Sequence, residues 1–113
     1  MSQSATVVPE KSRQRKANPD KPKPLPPYAV IVENDEVHSF HYVIETFQKV
    51  FGYSEQRAFR MAEAIHNHGE QVVWSGSKEV AELKRQQILT AGPDFYVTPT
   101  VTFPLGVRIE AMR

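Results

Sequence analysis

Tyr-Ala-Val-Ile-Val-Glu-Asn-Asp-Glu-Val-His-Ser-Phe-His-Tyr-Val, residues 28 to 43, changes character part-way along. Its opening, with β-branched side chains at Val30, Ile31 and Val32, predicts a strand from Tyr28 to Val32. Asn34-Asp35-Glu36 then interrupts the apolar run; Asn and Asp favour turns because their short side chains bond to nearby backbone. From about Phe40 the period becomes helical, with Phe40, Val43, Ile44, Phe47, Val50 and Phe51 on one face. Ser39 is a good N-cap for that helix and Gly52 a good C-terminal stop. The stretch thus predicts a strand and a helix joined by a polar elbow. Such an elbow sets acceptor side chains at the rim of a core, where a ligand can reach them.

Further along, Ser54 caps a second helix with Ala58, Met61, Ala62 and Ile65 facing inward, and Gly69 ends it. The link between the two helices is so short that they must pack as an antiparallel or angled pair. Gln71 to Trp74 predict a second strand. Ser77 caps a third helix carrying Val80, Leu83 and Ile88, stopped by Gly92-Pro93. Phe95 to Phe103 is rich in Val, Thr and aromatics, and Val107 to Ala111 alternates; both read as strand material, broken at Pro99 and Pro104. The order β-α-α-β-α-β predicts an α+β fold, a small three-stranded antiparallel sheet with three helices packed on one face.

The chain of 113 residues has room for one small domain, expected over residues 28 to 113. Residues 1 to 27 read as a basic, disordered arm. They hold six of the nine prolines, and too few large apolar residues to offset their ordering entropy. Residues 1 to 24 carry six Lys or Arg against Glu10 and Asp20, a net of +4, so a total of +1 leaves −3 on the rest. The arm has no aromatic residue for base stacking, which argues against nucleic acid. With no cysteine, no apolar signal core and no apolar run near the ~20 residues of a membrane span, the expectation is a soluble cytoplasmic protein without a membrane partner. A Gly-rich phosphate loop, a nucleophile elbow and a thiol nucleophile are all missing, so no catalysis and no cofactor are expected.

Four blocks in order resemble the ClpS adaptor family: Asn34-Asp35-Glu36, where the family has Asn-Asp-Asp; Ala64-Ile65-His66 with Gly69; Glu79-Val80-Ala81-Glu82 with Lys84; and Pro104-Leu105 with Val107, Ile109 and Glu110. The similarity covers residues 28 to 92 and the end from Pro104, with a connection around Asp94 to Phe103 that is longer than usual. The resemblance implies an adaptor that binds the free N-terminal residue of a substrate protein and delivers it to a Clp-type AAA+ unfoldase for degradation. The expected partners are the N-terminal domain of a ClpA- or ClpC-class unfoldase and substrates beginning with Phe, Tyr, Trp or Leu.

The chemistry suits that role. A peptide N-terminus is an ammonium with three donors, and burying it requires about three acceptors. The resemblance assigns these to Asn34, Glu36 and His66, with Asp35 as a possible substitute carboxylate. It lines the hole for the first side chain with Val32, His38, Phe40, Val43, Ala62, Ile65 and Leu105. Three of these depart from the family: His38 stands for Thr, and Phe40 and Ala62 each for Met. Unfoldase contact maps to Glu79 and Lys84 on the exposed side of the third helix. Two alternatives stay open. One is a docking module whose pocket is vestigial; the other is a metal site, with zinc the natural ion, built from His38, His41, His66, His68 and Glu36. Against the latter, the histidines come in two sets on separate elements, without the spacing of a metallohydrolase helix.

Overall fold

The computed structural model describes residues 25–113. Six elements follow one another: β1 (Tyr28–Glu33), α1 (Phe40–Phe51), α2 (Glu55–His68), β2 (Glu70–Gly76), α3 (Lys78–Leu89) and β3 (Gly106–Ala111). The fold is α+β, with a three-stranded antiparallel sheet in the order β2-β1-β3. The expectation of a disordered arm falls almost wholly on residues 1 to 24, outside the described residues.

Being central, β1 is buried on both faces. Val30 and Val32 point into the helical layer and are fully buried. Ala29 and Ile31 face the other way, beneath an ionic lattice centred on Arg108. The Arg108 guanidinium donates to Glu33 (2.7 Å), Glu70 (3.0 Å) and Glu110 (2.7 Å), and so crosses all three strands. On the covered face, Phe47 and Val50 of α1, Ala58 and Ile65 of α2, and Ala81 and Ile88 of α3 meet Val30, Val32 and Val73 in one core. The β1–β2 register slips between Val30 and Ile31, leaving Val73 without a partner on β1; its carbonyl accepts the Tyr53 hydroxyl at 2.7 Å instead.

Local signals set the helix ends. Ser39, Ser54 and Ser77 each accept from the backbone N–H three residues on, which satisfies an otherwise orphaned donor. Gly52 and Gly69 close α1 and α2 in the left-handed conformation, at φ 71° and 87°, where a side chain would be strained.

β1 and β3 each run one residue beyond the sequence reading, to Glu33 and from Gly106, and three other stretches depart further from it. β2 extends over Glu70–Gly76 rather than Gln71 to Trp74, because β1 offers it partners along its whole length. α3 stops at Leu89, ahead of Gly92; the Thr90 hydroxyl and N–H both return to the Gln86 carbonyl, capping the helix early. Phe95 to Phe103 is not a strand. It holds a single bridge, Asp94 with Val101, and otherwise loops out, exposing Phe95, Tyr96 and Phe103. Asp94 instead gathers the segment into a loop, bridging to Val101 and accepting from the Tyr96 N–H, and Pro99 supplies no donor.

Candidate functional site

The elbow between β1 and α1 closes on itself. Asp35 Oδ1 accepts from the N–H groups of Val37 (2.9 Å) and His38 (2.8 Å), and its Oδ2 lies 2.7 Å from His38 Nδ1. Partial burial alone would raise the Asp35 carboxyl. The hydrogen bonds from the His38 N–H, the His38 ring and the Val37 N–H outweigh it and hold the group below the ordinary aspartate range. With both oxygens engaged, Asp35 builds the turn.

Asn34 and Glu36 face the other way. The Asn34 N–H donates to the Gly69 carbonyl at 2.8 Å, which pins the elbow to the C-terminal end of α2 beside His66. The Asn34 side-chain amide donates to Glu36 Oε2 at 2.7 Å. That bond leaves the Asn34 side-chain oxygen and the other Glu36 oxygen with acceptor capacity to spare. His66 is exposed, on the last turn of α2, with its ring 5.8 Å from that of Phe40. Among the described residues, neither ring nitrogen of His66 has a protein hydrogen-bond partner.

These three groups stand at the mouth of a cavity of about 300 Å³. Its apolar wall is Val32, Phe40, Val43, Ala62, Ile65 and Leu105, and all eleven residues read from the sequence as ammonium or pocket positions line it, with Glu33 and Ser39 in addition. The walls come from β1, α1, α2 and the segment entering β3, so the cavity exists only once the sheet and helices have docked. Val32, Ala62, Ile65 and Leu105 are buried, whereas Phe40 stands at the edge and keeps 38% of its surface exposed.

His38 does more than line the wall. Its side chain is almost fully enclosed, stacked on Tyr42 with centroids 5.1 Å apart, and its Nε2 lies 2.9 Å from the Phe103 carbonyl oxygen. Asp94, fully buried, accepts from Ser39 N–H (2.8 Å), the Ser39 hydroxyl (3.3 Å) and Tyr96 N–H (2.9 Å). Thus the 94–103 connection is bolted to the elbow at two points. Asp94 escaped the sequence reading, although an Asp two residues before a loop N–H is a recognisable turn signal.

The remaining candidates separate. Glu79 is exposed on α3, but Lys84 is half-buried, and its ammonium donates to the Val50 carbonyl at 2.8 Å, capping the end of α1. The histidines do not converge. His38 is held by Asp35 and Phe103, His41 stacks on Tyr96 at 5.3 Å, and among the described residues no group of three or more His, Asp or Glu is placed to hold a metal ion. Among the same residues, no helix is long and apolar enough to cross a membrane.

A family model described as "ATP-dependent Clp protease adaptor protein ClpS" matches residues 23–94. The chain belongs to the ClpS family. Relatives named ATP-dependent Clp protease adapter protein ClpS include one from Nostoc sp. PCC 7120, 38% identical over 93 residues, 81% of this chain and 91% of the relative. Another, from Streptomyces coelicolor, is 43% identical over 61 residues, 54% of this chain and 64% of the relative. The structure is also similar to that of Agrobacterium tumefaciens ClpS2 bound to L-phenylalaninamide, with a TM-score of 0.64 and 25% identity over 79% of this chain and all of that one. The ClpS match stops at Asp94, where the long connection begins.

Proposed function

We propose that this adaptor takes the first side chain of a substrate protein into the cavity and holds its α-ammonium at the mouth. The Asn34 carbonyl oxygen, the Glu36 carboxylate and a ring nitrogen of His66 supply three acceptors for three N–H donors. The observation that carries the reading is the Asn34–Glu36 bond of 2.7 Å, because it holds together two acceptor side chains that line an otherwise apolar hole. Phenylalaninamide, the ligand named for the Agrobacterium relative, has the same two features: a free amino group and an apolar side chain.

The adaptor then passes its cargo, in the cytoplasm, to a Clp-type AAA+ unfoldase of the ClpA or ClpC class, which docks on the α3 side around Glu79. Lys84 supports that surface from behind by fixing α3 to the end of α1. First residues Phe, Tyr, Trp and Leu fit a cavity of about 300 Å³ with an aromatic edge. The experiment is a fluorescence-anisotropy titration of labelled peptides that differ only at residue one and in N-acetylation. Free Phe peptides bind and their acetylated forms do not; equal binding of the two refutes the reading, and indifference to the first residue leaves the pocket vestigial.

A further inference from the structure

Beside the mouth of the cavity lies an apolar side chain, Phe59, outside the lining that receives the first residue of a substrate. Phe59 lies on α2 at the helical spacing that aligns it with Ala62 and His66, on the face turned toward the cavity. It stays 43% exposed, outside the cavity lining, and its ring is tilted against that of Phe40 with centroids 6.1 Å apart. Phe40 in turn meets His66 edge-on at 5.8 Å. A lone exposed Phe needs no explanation. Two of them abutting beside a charged elbow form an open aromatic shelf, continuous with the cavity wall through Phe40.

We infer that the Phe40–Phe59 shelf is a subsite for the second residue of the bound peptide, selective for a large apolar side chain there. This deepens the reading above and rests on it. With the α-ammonium at His66, the Cα of residue two lies about 3.8 Å beyond that of residue one. The Phe40 ring lies 5.8 Å from His66 and 6.1 Å from Phe59, so a side chain set down one residue further on meets Phe40 and the near edge of Phe59. A Leu or Phe side chain is long enough to lie against those rings; Ser or Gly is not. Half-exposed rings offer a flat face rather than a hole, so selection is modest: covering on the order of 40 Å² of apolar surface corresponds to about a fivefold gain in affinity.

The test uses labelled peptides with a free N-terminal Phe and either Leu or Ser at residue two, titrated against the full chain and its Phe59→Ser and Phe103→Ser variants. Phe103, which stands edge-on to His38 at 5.1 Å, samples the other exposed aromatic beside the mouth. The native protein should prefer the Phe-Leu peptide about fivefold. Phe59→Ser should remove that ratio while leaving the Phe-Ser affinity where it was, and Phe103→Ser should leave the ratio intact. Equal binding of the two peptides to the native chain, a ratio that survives Phe59→Ser, or one lost in Phe103→Ser overturns the subsite. If neither free peptide binds, the first-residue reading falls and takes the subsite with it. The Phe-Ser peptide therefore tells the two failures apart.

Discussion

Replacing Ala62 with a methionine tests the cavity where its shape is least constrained by the elbow. Ala62 is 3% exposed on α2 and forms part of the wall of a cavity of about 300 Å³. At on the order of 25 Å³ per packed heavy atom, an indole side chain fills about 250 Å³, a phenyl side chain about 175 Å³ and a leucyl side chain about 100 Å³. All three fit the native space. The atoms added by Ala62→Met occupy about 75 Å³ on the same scale and leave about 225 Å³. Phenyl and leucyl groups still enter, but indole does so only by forcing side chains from their rotamers, at about 1–3 kcal/mol. Peptides beginning with Trp should therefore lose about tenfold or more in affinity to Ala62→Met, with Phe and Leu peptides changing less than about threefold. Anisotropy titrations of the three peptides give the comparison, and a thermal melt of the variant checks the fold. An equal fall for all three means that the larger side chain distorts the core. No change for Trp means that Ala62 does not bound the space the side chain uses.

Other expectations are checked more briefly. In the native protein, Phe, Tyr and Trp at residue one should bind better than Leu by about 1 kcal/mol, with Ile and Val last because their Cβ branch meets Phe40; competition titrations rank them, and tightest binding of Leu contradicts the aromatic edge. The depressed Asp35 carboxyl contributes stability that is fully present above about pH 4, the ordinary aspartate value, and is lost as pH falls through its lowered folded value. Melts of native protein and Asp35→Asn should therefore differ most near neutrality and converge as pH falls through that lowered value; a constant gap removes the linkage. Asp94→Ala leaves the Ser39 and Tyr96 N–H groups without their acceptor and should cost about 2–4 kcal/mol in a urea melt, with weaker peptide binding as the elbow loosens. Deleting residues 1 to 24 should leave peptide affinity unchanged but slow degradation of a bound substrate by the partner protease; a loss of affinity places the arm in the binding site.

What was legible in the sequence divides by the range of the interaction. Ser39, Ser54 and Ser77 as caps and Gly52 and Gly69 as stops were readable because each acts within four residues of itself. The apolar stripe of α1 fixed its inward face for the same reason. The pocket positions were legible only through the resemblance, since nothing local says that Leu105 meets Ala62. Where the family pattern gave no guidance, the reading of 95–103 as strand failed. Val and Thr raise strand propensity, but a strand forms only against a free edge, and here a buried Asp94 gathers the segment into a loop instead.

The same long-range contacts explain why the elbow holds its shape with a Glu at its third position. Asp35 spends its carboxylate on the turn, His38 links that turn to Phe103, and Asp94 holds the N-terminal end of α1 through Ser39. The conformation is thereby fixed without any demand on the side chains of Asn34 or Glu36. Glu36, one methylene longer than the family's Asp, has reach that would otherwise let it swing away from the mouth. The Asn34 amide collects it at 2.7 Å and returns it to the rim. It follows that Asn34→Ala should cost more than one acceptor: it frees Glu36 as well, so peptide affinity should fall by more than in Glu36→Gln, where the amide–amide contact can persist. On net hydrogen-bond values of about 1.5–3 kcal/mol for bonds to charged groups, the two variants should differ by at least about tenfold in Kd. Equal losses would mean that Glu36 finds the ammonium without help from Asn34, and that the bond between them is incidental to binding.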